Sequence, residues 1–250
     1  MKSISLGPDI LSDIYIGSQQ MSAVYAGDTL VWSAGPQEVT SIDSKTNALS
    51  SRPSIYSFNI SDVEFQAGDV AYYYLLAQNQ TGTVVTSAGW TLVLNTNGYG
   101  GNGTVPFKIY SKVMDGTETE IVTDAGSTAV GWNEGIAIFR NAAVCNPATD
   151  ISQFGSTSIW PDPPAVQSAV NPEDIVLALG SVCATSGFTV QSGYTGLGFT
   201  DVVANTQRMG AGMSYKSNPN PSENPPAFVS GGGNLTFFGG RGVTIAVRAA

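Results

Sequence analysis

The stretch "DVAYYYLLAQ", residues 69–78, is apolar at every position between Asp69 and Gln78. Eight apolar residues make a run of strand length, and the lack of polar alternation marks a strand covered on both faces. "DIVLALGSVCA" (174–184) has the same character and also opens on an aspartate. Two such runs in one chain point to the central strands of packed sheets.

Working outward from the first run, "SIYSFNI" (54–60), "WTLVLN" (90–95), "PFKIYSKVM" (106–114), "TEIVT" (119–123) and "GIAIFR" (135–140) are strand-length segments rich in β-branched and aromatic residues. Gly (29) and Pro (13) cut the chain before any helical period builds up. "FKIYSKV" alternates, with Phe107, Ile109 and Ser111 on one face and Lys108, Tyr110 and Lys112 on the other. Fully apolar central strands flanked by amphipathic neighbours predict an all-β fold, a β-sandwich with jelly-roll-like connections.

The pattern recurs. "MSYKS" (213–217) echoes "IYSKV", and "GVTIAVRAA" (242–250) echoes "GIAIFRNAA". Asp69 and Asp174 are 105 residues apart, Lys112 and Lys216 are 104 apart, and Arg140 and Arg248 are 108 apart. A nearly constant offset at three landmarks predicts an internal duplication, about 54–143 and 171–250, with each half supplying strands to one sandwich or forming its own sub-sheet. "FGSTSIWPDPPAVQSAVNPED" (154–174) is expected as a crossing loop and "SNPNPSENPPAFVSGGGN" (217–234) as a long exposed one.

Ahead of this body, "IYIGSQQMSAVYAGDTLVW" (14–32) holds two similar halves, Ile14-Tyr15-Ile16-Gly17 and Val24-Tyr25-Ala26-Gly27. The turn-rich "AGPQEVT" (34–40) sets the boundary, giving a small N-terminal β-hairpin module over 1–34 and a body over 35–250. A module of that size is too short for a core of its own.

Composition narrows the function. With 19 acidic against 10 basic residues and a net charge of −9, nucleic acid and anionic membranes are poor partners. Only 12% of residues are charged, so Ser, Thr, Asn and Gly carry the polarity. The opening "MKSISLGPDILSDIYIGS" lacks an apolar run of signal-peptide length, and no run of about 18 apolar residues occurs, so neither a secretory leader nor a membrane span is expected. Cys145 and Cys183 fit neither a disulfide scaffold nor a zinc site and are expected as small reduced hydrophobes.

The chemical motifs are weak. "GYGGNG" (98–103) matches G-x-G-x-x-G but precedes a strand rather than a helix, so it lacks the phosphate-binding helix N-terminus. "DGTETEIVTD" gathers Asp115, Glu118, Glu120 and Asp124, expected as the solvated turn and outer face of an edge strand. With no histidine, no nucleophile elbow and no Walker loop, the chain offers no catalytic set, and no metal or cofactor is expected. Trp90 and Trp132 adjoin apolar runs and read as packing groups, while Tyr99, Trp160 and Phe228, in loops 96–104, 155–165 and 217–234, are the candidates for stacking on a sugar.

Tyr15, Gly17, Val24, Tyr25, Gly27, Val31 and Trp32 form a pattern that resembles the short N-terminal element of many bacteriophage virion proteins. Ala67-Gly68-Asp69, Gly89-Trp90-Thr91, Tyr110-Ser111-Lys112 and Gly135 to Arg140 resemble a second phage-associated pattern. The resemblance implies a non-enzymatic virion structural protein whose residues 14–32 anchor it to other virion proteins. That role covers a tail, baseplate or neck appendage and a capsid decoration subunit alike, assembled in the host cytoplasm as a homo-oligomer. The absence of collagen-like, coiled-coil or β-helical shaft repeats favours a compact knob over a long fibre. The alternative expectation is a carbohydrate-binding adhesin that meets a host-surface glycan through Tyr99, Trp160 and Phe228.

Overall fold

The computed structural model describes residues 15–16, 19–20, 23–26, 29–33, 37–77, 82–97, 106–127, 129–156, 161–184, 188–204, 207–230 and 240–250. The protein is all-β, with no helix among these residues. The chain divides into two compact units, Met1–Gln37 and Glu38–Ala250.

The first unit consists of two short antiparallel ladders. Strand β1 (Tyr15–Ile16) pairs with β2 (Gln19–Gln20), and β3 (Ala23–Ala26) pairs with β4 (Thr29–Ser33).

The second unit opens with β5 (Thr40–Arg52), β6 (Ile55–Asn59), β7 (Val70–Ala77), β8 (Val84–Val85), β9 (Thr91–Asn97), β10 (Pro106–Val113), β11 (Glu120–Asp124) and β12 (Ala129–Arg140). It continues with β13 (Ile151–Ser156), β14 (Ile175–Ala184), β15 (Phe188–Thr189), β16 (Thr195–Ala204), β17 (Gln207–Ser217), β18 (Val229–Ser230) and β19 (Gly240–Val247). Two five-stranded antiparallel sheets result, ordered β5-β12-β7-β10-β9 and β13-β19-β14-β17-β16. The orders correspond strand for strand, with β7 and β14 central, and the two strand sets span Thr40–Arg140 and Ile151–Val247. Each set begins with an edge strand, β5 or β13, that lies outside the spans 54–143 and 171–250.

Strand β7 shows why its sequence has no polar face. Val70, Tyr72, Tyr74 and Leu76 join Phe107, Ile109 and Phe139 against Ile175, Leu177, Leu179, Met213, Val243 and Ile245, so the two large sheets pack face to face. Ala71, Tyr73, Leu75 and Ala77 point the other way, into a second core with Phe58, Ile121, Trp132 and Ile136. That second core lies beneath a three-stranded sheet, β6-β11-β8. The first half thus alternates between its large sheet (β5, β7, β9, β10, β12) and its small one (β6, β8, β11), an alternation compatible with jelly-roll-like connections.

Several local expectations give way. The alternating strand β10 is buried on both faces, because the small-sheet side covers Lys108 and Tyr110, and the Lys108 ammonium donates to the Thr83 carbonyl at 2.6 Å. Strand β11 is the centre of the small sheet rather than an edge. The segment expected as the exposed loop 217–234 is tied down where it is described. Pro219, Glu223, Pro225 and Phe228 are buried, and the Phe228 amide donates to the Pro161 carbonyl at 2.9 Å. The crossing loop likewise begins as strand β13.

Candidate functional site

The residues expected to anchor lie in the N-terminal unit, and each sequence echo opens an antiparallel strand pair of its own; the halves are not the two strands of a single pair. Tyr15 stands opposite Gln20, Val24 opposite Trp32, and Tyr25 opposite Leu30 after a register shift, with Val31 between its two neighbours in β4. Gly17 and Gly27 lie outside the described residues.

The sugar-stacking candidates do not come together. Phe228 is 2% exposed and packs edge-on against Phe199 at 5.8 Å, in a cluster with Ala178 and Val182, so it cannot present a ring to a ligand. The reason is its place at the end of the proline-rich cover, which uses an aromatic to seal the outer face of the second large sheet. Tyr99 and Trp160 lie outside the described residues. Trp132 is fully buried, and Trp90 packs half-buried against Tyr73 at 5.8 Å. Among residues whose side chains are described, every aromatic ring is buried or half-buried.

The carboxylates of 115–124 are occupied with structure. Glu118 pairs with Lys112 at 2.7 Å and accepts the Asp115 and Gly116 amides, so it closes the β10–β11 turn rather than standing free in solvent. The second half repeats the device with Glu223, which pairs with Lys216 at 2.9 Å and accepts the Asn220 amide. Ion pairs recur at the strand ends too. Arg140 grips Asp69 through two bonds of 3.0 and 2.9 Å, while Arg248 reaches both Asp150 and Asp174 at 3.1 Å. Comparison with family models, curated proteins and solved structures returned no significant match.

The most chemically loaded cluster of the body lies between the first large sheet and its small sheet. Glu134, at the middle of β12, is fully buried; it accepts the Tyr73 hydroxyl at 2.6 Å and the Asn47 amide at 3.1 Å. Asn47 also donates to the Tyr56 hydroxyl at 3.0 Å. Arg52 stacks its guanidinium 3.5 Å above the Trp132 ring and gives its hydrogens to the Thr123 hydroxyl and the Thr123 and Ser54 carbonyls. Burial lowers the Arg52 pKa and raises those of Tyr73 and Tyr56.

Sequence reasoning missed this cluster because "GWNEGIAIF" reads first as a hydrophobic strand announced by a tryptophan. The signal was present: at a period of two, Glu134 shares a face with Trp132, Ile136 and Ile138, all of them core residues. Among the described residues no group of three or more Cys, Asp or Glu is placed to hold a metal ion.

Proposed function

We propose that this chain is a non-enzymatic structural protein of a bacteriophage particle, attached through the residue 14–32 hairpins and displaying the Glu38–Ala250 body outward. The observation that carries the proposal is the division at Gln37: two ladders of two to five residues per strand make up one unit, and the other, the body, has its own continuous core. An isolated two-stranded hairpin is marginal in water, so a unit built of two of them gains stability by docking on another protein. The motif that resembles phage attachment elements falls on this unit, with Tyr15, Tyr25 and Trp32 at paired strand positions. A compact body with ion-paired turns and a low content of free charge suits display on a particle surface.

The test is incorporation. Virions assembled with Trp32→Ala and Tyr25→Ala chains should lose this subunit, while the purified full-length variant keeps the β-type circular dichroism and melting temperature of the wild-type chain. Normal incorporation of the double variant overturns the proposal. Counting copies on purified particles then separates capsid decoration (many copies) from an appendage at a tail, baseplate or neck (few).

A further inference from the structure

Five carboxylates of the body are buried among the described residues: Asp69, Glu134, Asp150, Asp174 and Glu223. Four of them are ion-paired, with Arg140, Arg248 or Lys216. Glu134 makes no ion pair and is held by the neutral donors Tyr73 and Asn47. The groups acting on it are Asn47 and Arg52 on β5, Tyr73 on β7 and Trp132 on β12, with Tyr56 on β6; beyond these, Lys45 on β5 acts on Tyr56, and Thr123 and Asp124 on β11 act on Arg52. The nearest guanidinium, that of Arg52, is committed to the indole face and to the Thr123 and Ser54 oxygens. In the same row of the sheet lie Leu75 and then buried Lys108, whose ammonium is turned to the Thr83 carbonyl.

We propose that Glu134 is a proton-operated latch: as the neutral acid it holds Asn47 of edge strand β5, which in turn bonds Tyr56 of small-sheet strand β6, against the centre of the first large sheet, and its ionisation loosens both strands. A buried carboxylate that makes no ion pair is costly, and the group avoids that cost by holding a proton. Burial pushes the Glu134 carboxyl above the usual glutamate range, outweighing the Tyr73, Trp132 and Asn47 donors and the Arg52 charge, which pull it down. The sign follows. A carboxyl with a higher pKa folded than unfolded contributes stability that is complete below the unfolded value and is lost as pH rises through the folded value. The latch therefore holds in acid and slackens toward alkali. The second half supplies an internal control. Its β19 carries Gly242 opposite Gly180 of β14, in a strand row that holds no carboxyl.

The experiment uses the full chain. Carbon-13 carboxyl shifts are followed against pH, with the Glu134 resonance assigned by its loss in Glu134→Gln. The expected midpoint lies above the ordinary glutamate value of about 4.3; a midpoint at or below that value overturns the proposal. Hydrogen exchange, corrected for intrinsic rates, reads the consequence. Opening of Asn47–Leu49 and Tyr56–Phe58 should rise by about tenfold per pH unit between the ordinary glutamate value of about 4.3 and the midpoint and level off above it, with Ile151–Gln153 of β13 unchanged. Glu134→Gln should abolish the dependence. An equal response in both halves, or a response that survives in Glu134→Gln, sinks the latch. If the variant does not fold, the wild-type titration, with Glu134 assigned through its bonded neighbours, still decides.

Discussion

A Cβ built on Gly242 would lie 2.4 Å from the backbone of Asp162 and Pro163. This glycine is what lets the proline-rich segment of the second half rest directly on its large sheet, where the first half instead accommodates Trp132, Glu134 and Arg52 beneath a regular small sheet. Gly196 offers a contrast, since the tightest contact of its Cβ would be the Phe199 ring edge, at 3.2 Å, with Val190 at an ordinary 3.7 Å, and a side chain can turn away. Gly242→Ala is therefore expected to destabilise by about 3 kcal/mol, the upper end of overpacking costs. Gly196→Ala should cost under about 1 kcal/mol, because the strand preference of alanine over glycine offsets part of the strain. Urea denaturation of the two variants side by side checks the order, and equal costs would mean that 161–164 can lift off the sheet without penalty.

At the scale of elements, the hairpins of the N-terminal unit carry a prediction of their own. A synthetic peptide covering residues 10–37 should show coil-like circular dichroism, because two ladders of this length bury too little to offset the entropy of ordering them. A stable β spectrum from the peptide would remove the physical reason for docking. The elements legible in sequence were those whose apolar residues declare a period: β7 and β14 by unbroken runs, and β10, β12 and β19 by β-branched and aromatic content. Strand β5, "TSIDSKTNALSSR", was not, because an edge strand that is only half-buried along most of its length needs few apolar residues and draws its order from its ladder to β12. Strand β16 hid behind Gly196 and Gly198, which read as breakers but mark a register shift and a close approach to Thr46. The repeat had a further trace in "GWT" and "GYT", where Gly89 and Gly193 share positive φ angles of 82° and 79° ahead of Trp90 and Tyr194. As for the candidate site, the short strands that carry Tyr15, Val24, Tyr25, Val31 and Trp32 could be read directly, whereas the fate of Phe228 could not, because a proline-rich loop and a proline-rich cover have the same composition and differ only in what lies beneath them.

At the scale of the molecule, the two strand sets cannot be independent domains, because the larger core is shared between them. If the halves were separated, Tyr72, Tyr74, Leu76, Phe107, Ile109 and Phe139 on one side and Ile175, Leu177, Leu179, Met213, Val243 and Ile245 on the other would face water. Faces of that size and character are not tolerated on a soluble monomer. The contact is also reinforced by polar bonds across it, with the Ser44 hydroxyl donating to the Leu197 carbonyl at 2.5 Å and the Asn133 amide to the Met209 carbonyl at 3.3 Å. The body from Glu38 onward should consequently unfold in one cooperative transition, with calorimetric and van't Hoff enthalpies in agreement. Fragments 38–147 and 148–250 expressed alone should aggregate or self-associate, yet give a one-to-one complex with native-like near-ultraviolet dichroism when refolded together. Two separate melting transitions, or a monomeric folded fragment, would show that each half closes its own core. In that case the pairing of the large sheets would be a docking of finished domains rather than the step that completes the fold.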